Sequence, residues 1–160
     1  MALNNKTKDK YRRVIRGMMI VLAVVLLVMG LAVPIVNNAV AMGVAGELKA
    51  LSMPAETTVI ESTSLAGRFA DTASSVQYFG ALLLKSNCEQ EELQTHFMQY
   101  NNGLDVTYRI ARQRGQDITV LGDVDLAFRE EVGEDGYYIL YTVRNGGNAL
   151  QWWLDMDVRG

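Results

Sequence analysis

The chain has 160 residues and a formal net charge of −3, room for one membrane anchor and one domain of about a hundred residues. The charge is unevenly split: up to Gly17 six cations face Asp9 alone, a surplus of +5, while from Met18 onward nine basic residues face seventeen acidic ones, leaving −8. A region this acidic excludes a nucleic-acid-binding surface, which needs stripes of Lys and Arg against phosphates, and the single cysteine, Cys88, excludes an intrachain disulfide.

Residues 1–17 form a short basic tail carrying Lys6, Lys8, Lys10, Arg12, Arg13 and Arg16. Residues 18–36, MMIVLAVVLLVMGLAVPIV, contain no charge and at 1.5 Å per residue span ~30 Å, the thickness of a bilayer's hydrocarbon core. This predicts a transmembrane helix from Met18 through Leu26 to Val36. The tail cations put its N-terminus in the cytoplasm and everything beyond Val36 outside. A secretory signal peptide is the first alternative, because Ala39-Val40-Ala41 has the form of a cleavage site, but this apolar run exceeds the usual h-region. Arg16-Gly17-Met18 resembles a prepilin processing site, a basic residue and glycine before a hydrophobic helix. The glutamate that family carries five residues after the cut is replaced here by Leu22. With no cysteine near the end of the run, a lipoprotein is excluded.

Residues 37–54 read as a stalk or linker. The segment contains Ala39/Gly43 and Ala41/Ala45, pairs at the small-xxx-small spacing that lets helices pack closely, and it closes at Met53-Pro54. Residues 55–160 then read as an extracytoplasmic α+β domain of about six strands and one helix.

Within that domain, 57–62 is rich in β-branched residues and predicts a first strand, followed by a small, polar loop over 64–75. Residues 76–84, VQYFGALLL, are apolar on both alternating faces, as in a strand covered on two sides. Ser86-Asn87-Cys88-Glu89 has the form of a capping box. Leu93, His96, Phe97 and Tyr100 follow as one helical stripe facing a sheet, ended at Asn101-Asn102-Gly103. Four further strands are expected at 105–112, 124–131, 137–144 and 149–158, with 117–121 an extra short strand or a loop. A turn at Gly146-Gly147 would pair Tyr141 with Trp152 and Ile139 with Leu154 on a core face. Leu140 would face Trp153, and Tyr138 would face Asp155, on the outside.

That outer face is the candidate interaction surface: Tyr138, Leu140 and Trp153 as an aromatic patch, flanked by Asp155. Exposed apolar clusters mark interaction sites, and Tyr and Trp dominate interface hot spots. The alternative is that a loop or a second helix covers it. Catalytic chemistry finds no footing. Cys88 and His96 lie some 12 Å apart along one helix at ~1.5 Å per residue, and a nucleophilic cysteine needs its base in contact. Asp123/Asp125 and Asp155/Asp157 lack the spacing of a calcium loop. No phosphate-binding glycine loop, nucleophile elbow or zinc-protease motif occurs. No cofactor or metal is expected, and no enzyme. The expected partners are the lipid bilayer and an envelope protein or glycan.

Met53-Pro54-Ala55-Glu56-Thr57, Ser64-Leu65-Ala66-Gly67-Arg68, Gln77-Tyr78-Phe79-Gly80-Ala81 and Glu91-Glu92-Leu93 carry a resemblance to single-pass membrane proteins of Gram-positive, Clostridia-like anaerobic bacteria. That group has no known activity, so the resemblance implies the anchor-and-domain layout and a disulfide-free surface, and no catalytic residue. The sequence thus points to a membrane-anchored binding or scaffolding module. The alternative is an accessory subunit of an envelope assembly, pilin-like or held through its transmembrane helix.

Overall fold

The computed structural model describes residues 5–69, 75–101, 106–122 and 124–146. Its first element is a single helix, α1, Asn5–Lys49, 45 residues long. It runs through Pro34 without a break. The proline ring would press on the carbonyl of the residue four positions earlier, here Gly30. One helix near the N-terminus is therefore long and apolar enough to cross a membrane.

The two halves of α1 live differently. From Met18 to Val28, and again at Leu31, its large apolar side chains lie bare on all sides, with Met18 68% and Leu26 61% exposed. From Val33 on, one stripe is buried: Val33, Asn37, Ala41, Val44, Ala45 and Leu48. These positions recur at three- and four-residue steps, so they share a face, and that face lies on the sheet. Residues 37–49 are thus no free-standing stalk. They are the layer that covers one side of the domain.

The sheet has four antiparallel strands in the order β1-β2-β4-β3: β1 Thr57–Gly67, β2 Gln77–Ser86, β3 Arg109–Arg112 and β4 Tyr137–Asn145. Four strands, rather than the expected six, make the sheet among the described residues. β1 continues to Gly67, because Ser64 to Gly67 pair with Gly80 to Gln77 of β2, where the sequence suggests a loop. The expected strand at 124–131 is absent. That stretch makes one bridge, Asp117 to Ala127, flanked by Ile118 N–H to the Leu126 carbonyl at 2.8 Å and Phe128 N–H to the Gln116 carbonyl at 2.9 Å. Between the two, Thr119–Leu121 form a 3-10 turn. The expected strand at 149–158 lies outside the described residues. The free edge of β4 that its hairpin would use is already taken by β3 over Tyr138 to Tyr141.

Both faces of the sheet are dry. On one, Leu82, Leu84, Tyr138, Leu140 and Ile110 pack with Leu48 of α1 and with Leu93 and Phe97 of α2, Gln90–Met98. On the other, Phe79, Ala81, Leu83 and Ile139 are covered by Ile118, Leu121 and Phe128 from the irregular 113–132 segment. Each fully buried Leu, Ile or Phe contributes about 1.5–3 kcal/mol of transfer free energy. The helix α2 begins later than the sequence suggests. Glu89 is its N-cap and Glu92 completes the capping box, the Glu89 N–H donating to the Glu92 carboxylate at 3.2 Å. Ser86 instead stays in β2, its hydroxyl accepting from Cys88 N–H at 3.1 Å and sharing a 2.7 Å bond with the Thr57 hydroxyl.

Candidate functional site

The side chains expected to form an outward patch do not share an exposed surface. Tyr138 is 4% exposed and Leu140 fully buried, both beneath α2 and the end of α1. The Tyr138 hydroxyl donates to the Cys88 carbonyl at 2.9 Å, which explains why a tyrosine fits there. Trp153 and Asp155 lie outside the described residues. The side chains of β4 do alternate between two faces, but the face expected to meet solvent carries a helix. Asp125 is exposed in an irregular segment rather than on a strand, and Asp123, Asp155 and Asp157 lie outside the described residues.

Cys88 and His96 are not brought together as a reactive pair. The Cys88 thiol points to the Ala55 carbonyl at 3.6 Å. His96 Nε2 is bonded to the Ser52 carbonyl at 2.7 Å, and its ring stacks edge-on against Phe97 and Tyr100. The histidine therefore ties α2 to the segment after α1. Among the described residues no cluster of three or more His, Cys, Asp or Glu is placed to hold a metal ion.

The feature built with most care is the junction of α1 with the sheet. Gly80, on β2, faces the helix so closely that a Cβ there would stand 2.7 Å from the Ala45 nitrogen and 2.9 Å from the Val44 carbonyl carbon. Glycine is required by this close approach, and Ala41 and Ala45 on the helix side keep the gap small. Below this contact the Tyr78 hydroxyl donates to Asn37 Oδ1 at 2.9 Å, in a buried site. On the neighbouring strand Arg144 makes a two-point ion pair with Glu47 of α1, one leg of which measures 3.0 Å. A buried hydrogen bond fixes the register of helix on sheet because a slip by one residue would break it. An Arg–carboxylate fork adds orientation, and being part-exposed it adds little energy.

The helix's other face is left open. Ile35 is 69% and Met42 67% exposed, and Ala39, Gly43 and Gly46 are exposed beside them. No atom lies within 4 Å of where a Cβ would stand at Gly43 or Gly46. The two small-residue pairs seen in the sequence thus split. Ala41/Ala45 turn inward to the sheet, and Ala39/Gly43 turn outward, in line with the bare apolar half. Val36, the expected outer end of the span, is half-buried and marks the changeover.

Comparison with family models, with curated proteins and with solved structures finds no match for this chain.

Proposed function

We propose that this protein is a non-enzymatic, single-pass envelope protein that works as a subunit of an assembly held together through α1. The basic tail faces the cytoplasm and the sheet domain stands outside. The observation that carries the reading is the continuity of α1: the apolar half and the sheet-packed half are one rigid rod with no linker between them. A tethered binding module gains reach from a flexible stalk. Here orientation is fixed instead, as a subunit that must repeat its neighbours' geometry requires.

Three further points support it. The bare half of α1 is apolar around its whole circumference, so it needs lipid or other helices as surroundings. The outward stripe of Ala39, Gly43 and Gly46 lets a second backbone come close. Processing at Gly17 would leave every sheet-packed residue of α1 in place, whereas cleavage after Ala41 would strip Val33, Asn37 and Ala41 from the interface. The loss of these contacts favours the uncut or pilin-like form over a cleaved signal peptide.

Single cysteines placed at Ala39 and Gly43, in a Cys88→Ser background, test this in native membranes. Disulfide cross-links between copies are expected at both, and loss of the Ala39 cross-link on adding Gly43→Leu. A chain that stays monomeric refutes the reading. So does a protein partner captured by wild type and lost in Trp153→Ala while Gly43→Leu changes nothing, which would return the function to the sheet. A mature N-terminus at Met18 would identify the pilin-like form, and an intact tail the plain anchor.

A further inference from the structure

The junction that holds α1 to the sheet also sets the height of the domain above the membrane. We propose that the sheet end carrying Arg68, Phe69 and Asn145 lies in the lipid headgroup layer, with Arg68 directed at anionic phosphate. This rests on the membrane-spanning reading of α1 given above.

The level follows from two rises at standard helix and strand geometry. The uninterrupted apolar run ends at Val36, before Asn37-Asn38, and Ala45, which touches Gly80, is nine residues further, or about 13 Å at 1.5 Å per residue. From Gly80 the strand runs back three residues to Gln77, about 10 Å at 3.3 Å per residue. Gln77 is the last paired position, opposite both Gly67 and Asn145. The rim of the sheet therefore stands only ~3 Å beyond the end of the span, and an inclined strand adds a few ångströms. The headgroup region on each side of a bilayer is roughly 5–8 Å thick. The direction is fixed as well: Tyr78 meets Asn37, Gly80 meets Val44 and Ala45, and Leu82 and Leu84 cluster with Leu48, so β2 climbs away from the membrane alongside α1.

Among the described residues the composition of the two ends agrees. At the rim Arg68 is exposed. Phe69 sits edge-on to Phe79 with ring centroids 6.3 Å apart, and Val143 beside them is 37% exposed. The far end, around the start of β1 and the end of β2, exposes Glu56, Glu89, Glu91, Glu92, Glu134 and Asp135. A domain of net negative charge meets an anionic surface best with that end turned away. The rim is also a fixed shape: Phe69 N–H donates to Gln77 Oε1 at 3.1 Å, Gln77 Nε2 donates to Asn145 Oδ1 at 2.9 Å, and Gly146 N–H donates to the Val76 carbonyl at 2.7 Å.

Spin labels on the full chain test this, in Cys88→Ser protein reconstituted into phosphatidylglycerol–phosphatidylcholine vesicles at high lipid-to-protein ratio. Cysteines are placed at Leu26 (mid-span), Asn145 (rim) and Asn87 (far end). A neutral water-soluble nickel chelate should reach Asn87 freely, reach Asn145 several-fold less, and not reach Leu26. Arg68→Gln should weaken the protection of Asn145 in phosphatidylglycerol vesicles and not in pure phosphatidylcholine. Equal access at Asn145 and Asn87, with Leu26 shielded, overturns the proposal and leaves the anchor standing. Free access at Leu26 overturns both. Protection at Asn145 that vanishes as protein is diluted in lipid would identify a neighbouring copy as the cover and also overturn it. An Arg68→Gln effect of equal size in both lipids removes the phosphate contact from the proposal.

Discussion

Replacing Gly80 by alanine tests the helix–sheet junction directly. The new Cβ would stand 2.7 Å from the Ala45 nitrogen, where ordinary contact begins at 3.4 Å, so the helix must retreat by 0.7 Å or the strand must bend. Neither is free to move locally. The Asn37–Tyr78 bond holds α1 on one side of the contact and fully buried Leu48 holds it on the other. Overpacking a fixed core costs typically about 1–3 kcal/mol, and contact with backbone rather than a flexible side chain puts this case at the upper end. Exchanging a strand glycine for alanine returns roughly 0.5–1 kcal/mol of chain entropy. A net loss of about 2 kcal/mol is expected, which for a domain of this size lowers the unfolding temperature on the order of 10 °C.

The assay is thermal or urea unfolding of the full chain in detergent micelles, followed by aromatic fluorescence. Val44→Ala in the same background should restore only a minor part, since two of the three close contacts are to backbone. Gly43→Ala is the control. It sits on the same helix with nothing within 4 Å of the added methyl, and should be neutral or stabilising by up to ~1 kcal/mol. A Gly80→Ala protein as stable as wild type would show that α1 does not rest on β2 as closely as described.

Two other substitutions read the same interface. Asn37→Leu and Tyr78→Phe should each cost about 1–2 kcal/mol, with a coupling near 1 kcal/mol in the double mutant, because removing one partner leaves the other's group in a buried site. Strict additivity would deny the bond its register role. Thr142, opposite Gly80 in the sheet, is 1% exposed and its hydroxyl has no hydrogen-bond partner among the described residues. Thr142→Val should therefore raise stability by about 1 kcal/mol, and a lowered unfolding midpoint would contradict it.

How far the fold could be read from the sequence depended on whether each signal was local. The apolar span and the two-sided character of 76–84 are compositional, and both correspond to what is found. The same two-sided signal is present in 137–144, where Tyr138, Leu140 and Thr142 alternate with Ile139, Tyr141 and Val143, yet the hairpin register turns one face to solvent. The expected pairing of Tyr138 with Asp155 turns that face outward, whereas the Tyr138 hydroxyl is satisfied by the Cys88 carbonyl and Thr142 is simply buried. Residues 124–131 alternate as a strand does, but pairing is a tertiary matter. Among the described residues no strand pairs with the outer edge of β3, and the 124–131 segment instead covers Phe79 and Ile139.

The segment after Val36 shows why the candidate site was only half legible. Its stripe of Val33, Asn37, Ala41, Val44, Ala45 and Leu48 has helical spacing, but one buried asparagine and two alanines dilute it below what reads as a core face. On the proposed reading, small residues serve two opposite purposes on this helix. Inward, Ala41 and Ala45 let the rod approach Gly80; outward, Ala39 and Gly43 leave room for another rod. Spacing cannot separate these uses, because both repeat at four residues. Only the position of the sheet does so, and it assigns the pairs to faces about 200° apart at 100° per residue. A bulky residue at Ala45 should therefore unfold the domain, whereas one at Gly43 should leave a folded domain that no longer joins its neighbours. That separation of phenotypes is what a scaffold tethered by a passive anchor would lack.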